Sequence, residues 1–120
     1  MKKILIVDDH SDIRKLIRIT IGSAYEVLEA EDGMAALQII RNQRPSLVVL
    51  DIMMPGEMDG LQVLDAVRAD PSLKDTQIIM VTARGQVKDY DAGMRRCANA
   101  YLIKPFSPVQ LVDSIKELLK

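Results

Sequence analysis

Four short apolar runs in this chain each stop at a residue that carries charge or donates a hydrogen bond. Ile4-Leu5-Ile6-Val7 runs into Asp8-Asp9, Leu47-Val48-Val49-Leu50 into Asp51, Ile78-Ile79-Met80-Val81 into Thr82, and Tyr101-Leu102-Ile103 into Lys104. Unbroken apolar runs of about four residues, without polar alternation, are the mark of strands buried on both faces. Helical periodicity fills the intervals between them, which predicts parallel strands joined by right-handed crossovers. All carboxyl ends of a parallel sheet lie along one edge, and that edge is where open α/β sheets bind their ligands. The pattern therefore gathers three carboxylates, a hydroxyl and an ammonium on a single rim.

The intervals read as follows. Ser11 or Asp12 caps a helix whose buried stripe is Ile13, Leu16, Ile17, Thr20 and Ile21. A short alternating strand lies near Glu26-Val27-Leu28-Glu29-Ala30, and its polarity places it on a sheet edge. Asp32 begins a second helix, with Ala36, Leu37, Ile39 and Ile40 inward, that ends before Pro45. The turn-rich loop MPGEMDG follows the second long run and leads into a third helix from about Gly60, buried through Leu61, Val63, Leu64 and Val67 and stopped by Asp70-Pro71. A weaker helix is expected after Gly85, because Gly93 falls inside it and costs about 1 kcal/mol relative to Ala. Its apolar stripe is thin (Val87, Tyr90, Met94). Ser107-Pro108 is a cap followed by a first-turn proline, opening a last helix with Leu111, Val112, Ile115, Leu118 and Leu119 inward. Five strands thus alternate with five helices in a three-layer α/β arrangement. With the most polar strand on an edge, the predicted order is 2-1-3-4-5. The reversal then falls between the strands that end at Asp8-Asp9 and at Asp51.

Bulk properties narrow the function. At 120 residues the chain makes one domain, 1–120, with 48% apolar and 28% charged residues. No apolar stretch nears the roughly 20 residues of a membrane span, and the N-terminus turns acidic too soon for a signal peptide. A single cysteine, Cys97, makes an internal disulfide impossible and points to a reducing cytoplasm. A net charge of −1 gives no bulk drive toward nucleic acid.

Carboxylates about 4 Å apart repel by roughly 4 kcal/mol at an effective dielectric near 20. A cluster of Asp8, Asp9 and Asp51 therefore raises one pKa strongly or takes up a cation. An all-oxygen set that leaves room for water suits Mg²⁺. Taken singly, each aspartate reads as a cap or a loop residue; together, beside Lys104 and Thr82, they carry the parts that phosphoryl transfer requires. No glycine loop of the phosphate-cradling kind occurs, which argues against a bound nucleotide.

The segments ILIVDD, VVLDIMMPGEMDG, IIMVTA and YLIKPF, in this order along the whole chain, resemble the signature blocks of the response-regulator receiver domain of two-component signalling, of the chemotaxis-regulator type. The resemblance implies a flavodoxin-like (βα)5 fold and a phosphoacceptor switch rather than a turnover enzyme. By it, Asp51 accepts a phosphoryl group from a phosphohistidine on a sensor histidine kinase or phosphotransfer protein. Asp8, Asp9, Asp51 and the backbone carbonyl of Met53 hold Mg²⁺, and Lys104 contacts the phosphoryl group. Thr82 and Tyr101 form the switch pair, and the Lys104–Pro105 bond is cis. The first helix and the loop after Lys104 meet the phosphodonor. The face of the fourth helix, fifth strand and fifth helix controls an output partner or domain, and a dimer formed on phosphorylation is a further expectation. The chain starts with Met and stops where the fifth helix should end, which suits both a stand-alone domain and a receiver cut from a longer regulator.

Two departures stand out. Asp51 to Gly60 is one residue longer than the family spacing, and the extra residue falls within GEMD. Cys97-Ala98 replaces a frequent Gly-Ala pair. Met53 and Arg84 occupy variable positions where a thioether and a long cation are expected to slow hydrolysis of the aspartyl phosphate. His10 reads as a spectator beside the acid pair, Met54, Met58 and Met80 as packing, Arg95 and Arg96 as a solvated face, and Phe106 equally as packing or as part of a docking surface. Two other classes compete with this reading. An aspartyl-phosphate hydrolase would need an acid/base aspartate two residues after Asp51, where Met53 stands. A flavin or nucleotide carrier would set its phosphate against an acidic rim.

Overall fold

The structure is a computed structural model and describes residues 1–83 and 98–120. The expected weak helix, with Arg84, Arg95, Arg96 and Cys97, lies outside the described residues. Five strands, β1 (Lys3–Val7), β2 (Glu26–Ala30), β3 (Leu47–Asp51), β4 (Gln77–Ala83) and β5 (Ala100–Lys104), form one parallel sheet in the order β2-β1-β3-β4-β5, as the apolar runs predicted. Four α-helices are described: α1 (Ser11–Ile21), α2 (Gly33–Gln43), α3 (Gly60–Ala69) and α4 (Pro108–Leu118), the last being the fifth of the predicted count. A short 3₁₀ turn, Pro71–Leu73, follows α3.

The continuous apolar runs are divided between two cores by the two-residue period of a strand. Leu5, Val7, Val48, Leu50, Ile78 and Met80 face α2 and α3. Ile4, Ile6, Leu47, Val49, Ile79 and Val81 face Ile17 and Ile21 of α1 and Leu111 and Ile115 of α4. Helices therefore cover both faces, and β2 lies at the edge with Val27, Leu28 and Glu29 half-buried and Ala30 buried.

The caps expected at Asp32 and Ser107 are present, and Asp59 supplies one at α3 that was not among the expectations. Asp32 accepts the Ala35 N–H, and Asp59 and Ser107 each form a reciprocal capping box, with Gln62 and Gln110 respectively. At α1 the expectation is corrected. His10, not Ser11 or Asp12, is the N-cap, and no side chain caps the helix. The Asp8 carboxylate instead takes the His10 N–H, which brings the chain into the helix one residue early. Leu16 is a second correction, being 59% exposed. The inner line of α1 runs Ile13, Ile17, Ile21, and Leu16 sits about 100° round the helix from Ile17, outside the buried arc.

Candidate functional site

The rim is built from three strand ends. Asp8 follows the last residue of β1 and extends the ladder by donating its N–H to the Ala30 carbonyl (3.2 Å). Its carboxylate Oδ1 accepts the His10 N–H at 2.9 Å, a local turn that fixes the side chain against the start of α1. Its own carbonyl accepts from the Arg14 guanidinium at 2.6 Å. Asp51 closes β3. Its Oδ1 accepts the Met53 N–H at 3.3 Å, and the next residue, Ile52, donates to Val81 on β4 at 3.0 Å. Lys104 ends β5 and reaches back over the sheet. Its Nζ lies 2.9 Å from Asp8 Oδ2 and 3.2 Å from Asp51 Oδ2, so one ammonium bridges carboxylates 43 positions apart.

The loop between Asp51 and Gly60 absorbs its extra residue without disturbing the acceptor strand. Gly60 donates to the Ile52 carbonyl at 2.9 Å, and a Cβ at this position would run into the backbone carbonyl of Asp51. Only glycine lets α3 start this close to the site. Between these anchors the chain turns at Gly56 (φ 96°), and Met54 and Met58 pack on the core beneath.

Burial and charge divide the acids unequally. The side chain of Asp8 is 3% exposed and that of Asp51 7%. Burial pushes the Asp8 carboxyl upward, but the His10 N–H and Lys104 outweigh it and hold the group below the ordinary carboxylate value. At Asp51 burial prevails. With the neighbouring Asp8 charge it outweighs Lys104 and the Met53 N–H, and the carboxyl sits above its ordinary value. Burial lowers Lys104, but its two carboxylate partners more than restore it, so the ammonium is held above its ordinary value. Hydrogen bonding to Asp8, and then the Asp9 and Asp8 charges, raise the His10 imidazole.

Asp8, Asp9 and His10 each turn one donor atom into a space where all three lie within 4.8 Å of one another. Asp9 Oδ1 is buried there with no hydrogen bond among the described residues. It faces the His10 imidazole nitrogen at 3.2 Å, and a shielded carboxylate oxygen of this kind is what a cation would satisfy, so the donor set fits a divalent ion. Asp51 lies outside this trio and is linked to it by the lysine it shares with Asp8. Met53 is 59% exposed beside the acceptor. Thr82 is 2% exposed and pairs in register with Ile103, one position beyond the Asp51–Val81 pair. Tyr101 is partly buried against the core under α2 and α3, and Phe106 packs on the opposite core. The Lys104–Pro105 bond is cis.

Three residues of this region carry more than the sequence reading assigned. His10 stands among the donors rather than beside them. Arg14 and Arg18 grip Glu29 at 3.0 and 2.9 Å and tie α1 to the edge strand, holding the Glu29 carboxyl below its ordinary value against the opposing effect of burial. Arg14 stands next to the inner line of α1, and a cation in that position was the available signal.

A family model described as the response regulator receiver domain matches residues 4–116. Among curated proteins, the chain is 45% identical over 121 residues to the Porphyra purpurea protein named "Probable transcriptional regulator ycf27", covering 99% of this chain and 48% of that one. It is 39% identical to the phosphate regulon transcriptional regulatory protein PhoB of Pseudomonas aeruginosa, covering 99% and 52%. The chain thus spans about half the length of these relatives. Among solved structures, the chemotaxis response regulator CheY4 of Vibrio cholerae superposes with a TM-score of 0.88 at 34% identity, covering 98% of each chain. None of these likenesses favours a hydrolase. With its sheet order, its acid rim and a match across nearly its whole length, the chain belongs to the response regulator receiver domain family of two-component signalling.

Proposed function

We propose that residues 1–120 act as one receiver domain in which Asp51 is the phosphoacceptor, taking its phosphoryl group from a phosphohistidine on a sensor kinase or phosphotransfer protein. The observation that carries this reading is the contrast between Asp8 and Asp51, which share the Lys104 ammonium. Asp8 is held ionised by hydrogen bonds, as a cation ligand must be. Asp51 is buried with fewer stabilising donors, and burial together with the Asp8 charge moves its carboxyl above its ordinary value.

In the transfer, an Asp51 carboxylate oxygen attacks phosphorus in line and the phosphorus–nitrogen bond breaks. The electron pair leaves with the imidazole nitrogen, which takes up a proton from solvent. Asp51 becomes a mixed anhydride. The Lys104 ammonium, already on Asp51 Oδ2, passes to a phosphoryl oxygen with little movement. Thr82, one register position beyond the acceptor, supplies a hydroxyl to another oxygen, and Tyr101 follows it inward. Asp8, Asp9, Asp51 and the Met53 carbonyl would hold Mg²⁺, which when bound supplies positive charge to the transferring group. The phosphorylated population then shifts the face that includes β5 and α4 toward an output partner or domain. Slow loss of the phosphoryl group to water returns the switch, in a cytoplasmic setting.

The test is incubation with acetyl phosphate, with and without Mg²⁺, read by intact mass. A single phosphoryl adduct that needs the metal and is absent in Asp51→Asn supports the assignment. An adduct that survives this substitution overturns it.

A further inference from the structure

Building on the reading of the rim as a divalent-cation site, we infer that His10 is itself a ligand of that cation. Its imidazole nitrogen would give this domain a stronger preference for first-row transition ions over Mg²⁺ than its carboxylates alone provide. The geometry points this way. His10 Nδ1 lies 3.1 Å from Asp8 Oδ1 and 3.2 Å from Asp9 Oδ1. Donors at neighbouring corners of an octahedron with bonds of about 2.1 Å stand about 3.0 Å apart, and donors at opposite corners about 4.2 Å. Both separations match neighbouring corners, and the three donor atoms all lie within 4.8 Å of one another.

Hydrogen bonding alone leaves this trio incomplete. A neutral imidazole has one proton to offer, and Nδ1 faces two carboxylates. Asp9 Oδ1 is buried and accepts no hydrogen bond among the described residues. A cation between the three atoms would satisfy all of them together. The site is also held ready. The His10 backbone N–H is fixed on Asp8 Oδ1, while Lys104 occupies the other oxygen, Oδ2, and so turns Oδ1 toward the imidazole. The His10 side chain is 62% exposed, which leaves water access to complete the coordination shell. Imidazole binds cobalt, nickel and zinc in preference to magnesium, which favours oxygen and keeps its water.

The experiment titrates the whole chain with Co²⁺ and with Mg²⁺ by calorimetry, in the wild type, His10→Asn and His10→Ala. Nitrogen hyperfine coupling to bound Mn²⁺ is recorded in parallel. The expected result is a loss of Co²⁺ affinity on the order of tenfold or more in both variants. Mg²⁺ affinity should change by less than about twofold, because magnesium draws little from a nitrogen donor. The nitrogen coupling should be present in the wild type and gone in both variants. Equal losses for the two ions, no loss, or a coupling absent from the wild type would overturn the inference. His10 is exposed and its backbone N–H remains in both variants, so folding is not at issue. The outcome separates cleanly from the phosphoacceptor reading. A wild type that takes phosphate with Mg²⁺ yet shows no nitrogen coupling defeats only the role of His10. A coupling without any Asp51 adduct defeats only the phosphoacceptor.

Discussion

The middle of the sheet and its carboxyl rim are equally hidden from water but stand in opposite relation to stability. Ile4, Leu5, Ile6, Leu47, Val48 and Ile78 are 0% exposed, and at the rim Asp8, Asp51 and Thr82 are 2%, 5% and 2% exposed. Burying each large apolar side chain in the middle stabilises the fold by about 1.5–3 kcal/mol. Burying carboxylates does the reverse unless cations and N–H groups compensate. Here the compensation is uneven: Asp8 receives enough and Asp51 does not. The interior keeps the strands in place, and the rim uses that rigidity to hold an acid where it is least comfortable.

Substitutions can break this contrast. Leu5→Ala, at the centre of β1, should cost about 2–5 kcal/mol in urea unfolding, with the remaining folded protein still binding divalent ions. Gly60→Ala forces a Cβ against the Asp51 carbonyl. It should cost about 1–3 kcal/mol by overpacking and, unlike Leu5→Ala, slow acetyl phosphate labelling of the folded protein. Equal labelling rates in the two variants would show that the acceptor is insulated from its helix.

Charge substitutions at the rim sharpen the contrast by sign. Lys104→Met leaves Asp8 and Asp51 facing each other and should cost about 1–3 kcal/mol at neutral pH without divalent ions, less than a fully buried pair because Lys104 is 27% exposed. Asp51→Asn should instead stabilise the fold by about 1 kcal/mol at neutral pH. The Asp51 carboxyl lies above its ordinary value of 3.8, so its ionisation opposes folding. That penalty is absent below 3.8, grows as pH rises through the folded value, and is complete above it. The advantage of Asn should follow the same course. A variant less stable than wild type at neutral pH would contradict the account of Asp51.

Glu29, away from the rim, should show the smallest effect and the opposite sign. Its carboxyl is depressed below 4.5, so its ion pairs add stability above 4.5 that disappears as pH falls through the folded value. Glu29→Gln should cost from a few tenths to about 1 kcal/mol at neutral pH and nothing in acid.

The amino-acid order by itself determined the strands, their parallel arrangement, the edge position of β2, most helix limits and the presence of acids, a hydroxyl and a lysine on one rim. Each of these rests on local information: side-chain period, a cap, or a charge ending an apolar run. Tertiary structure alone decided which residues meet. Leu16 looked inward on a helical stripe and faces water because the arc that α1 buries is narrower than its apolar face. His10 looked incidental until the turn after β1 set its ring against two carboxylates. The sharing of Lys104 by Asp8 and Asp51, and the fit of Gly60 against the acceptor carbonyl, depend on strand register and loop closure over tens of residues. No local pattern encodes such lateral distances, because they arise only when the whole sheet has assembled.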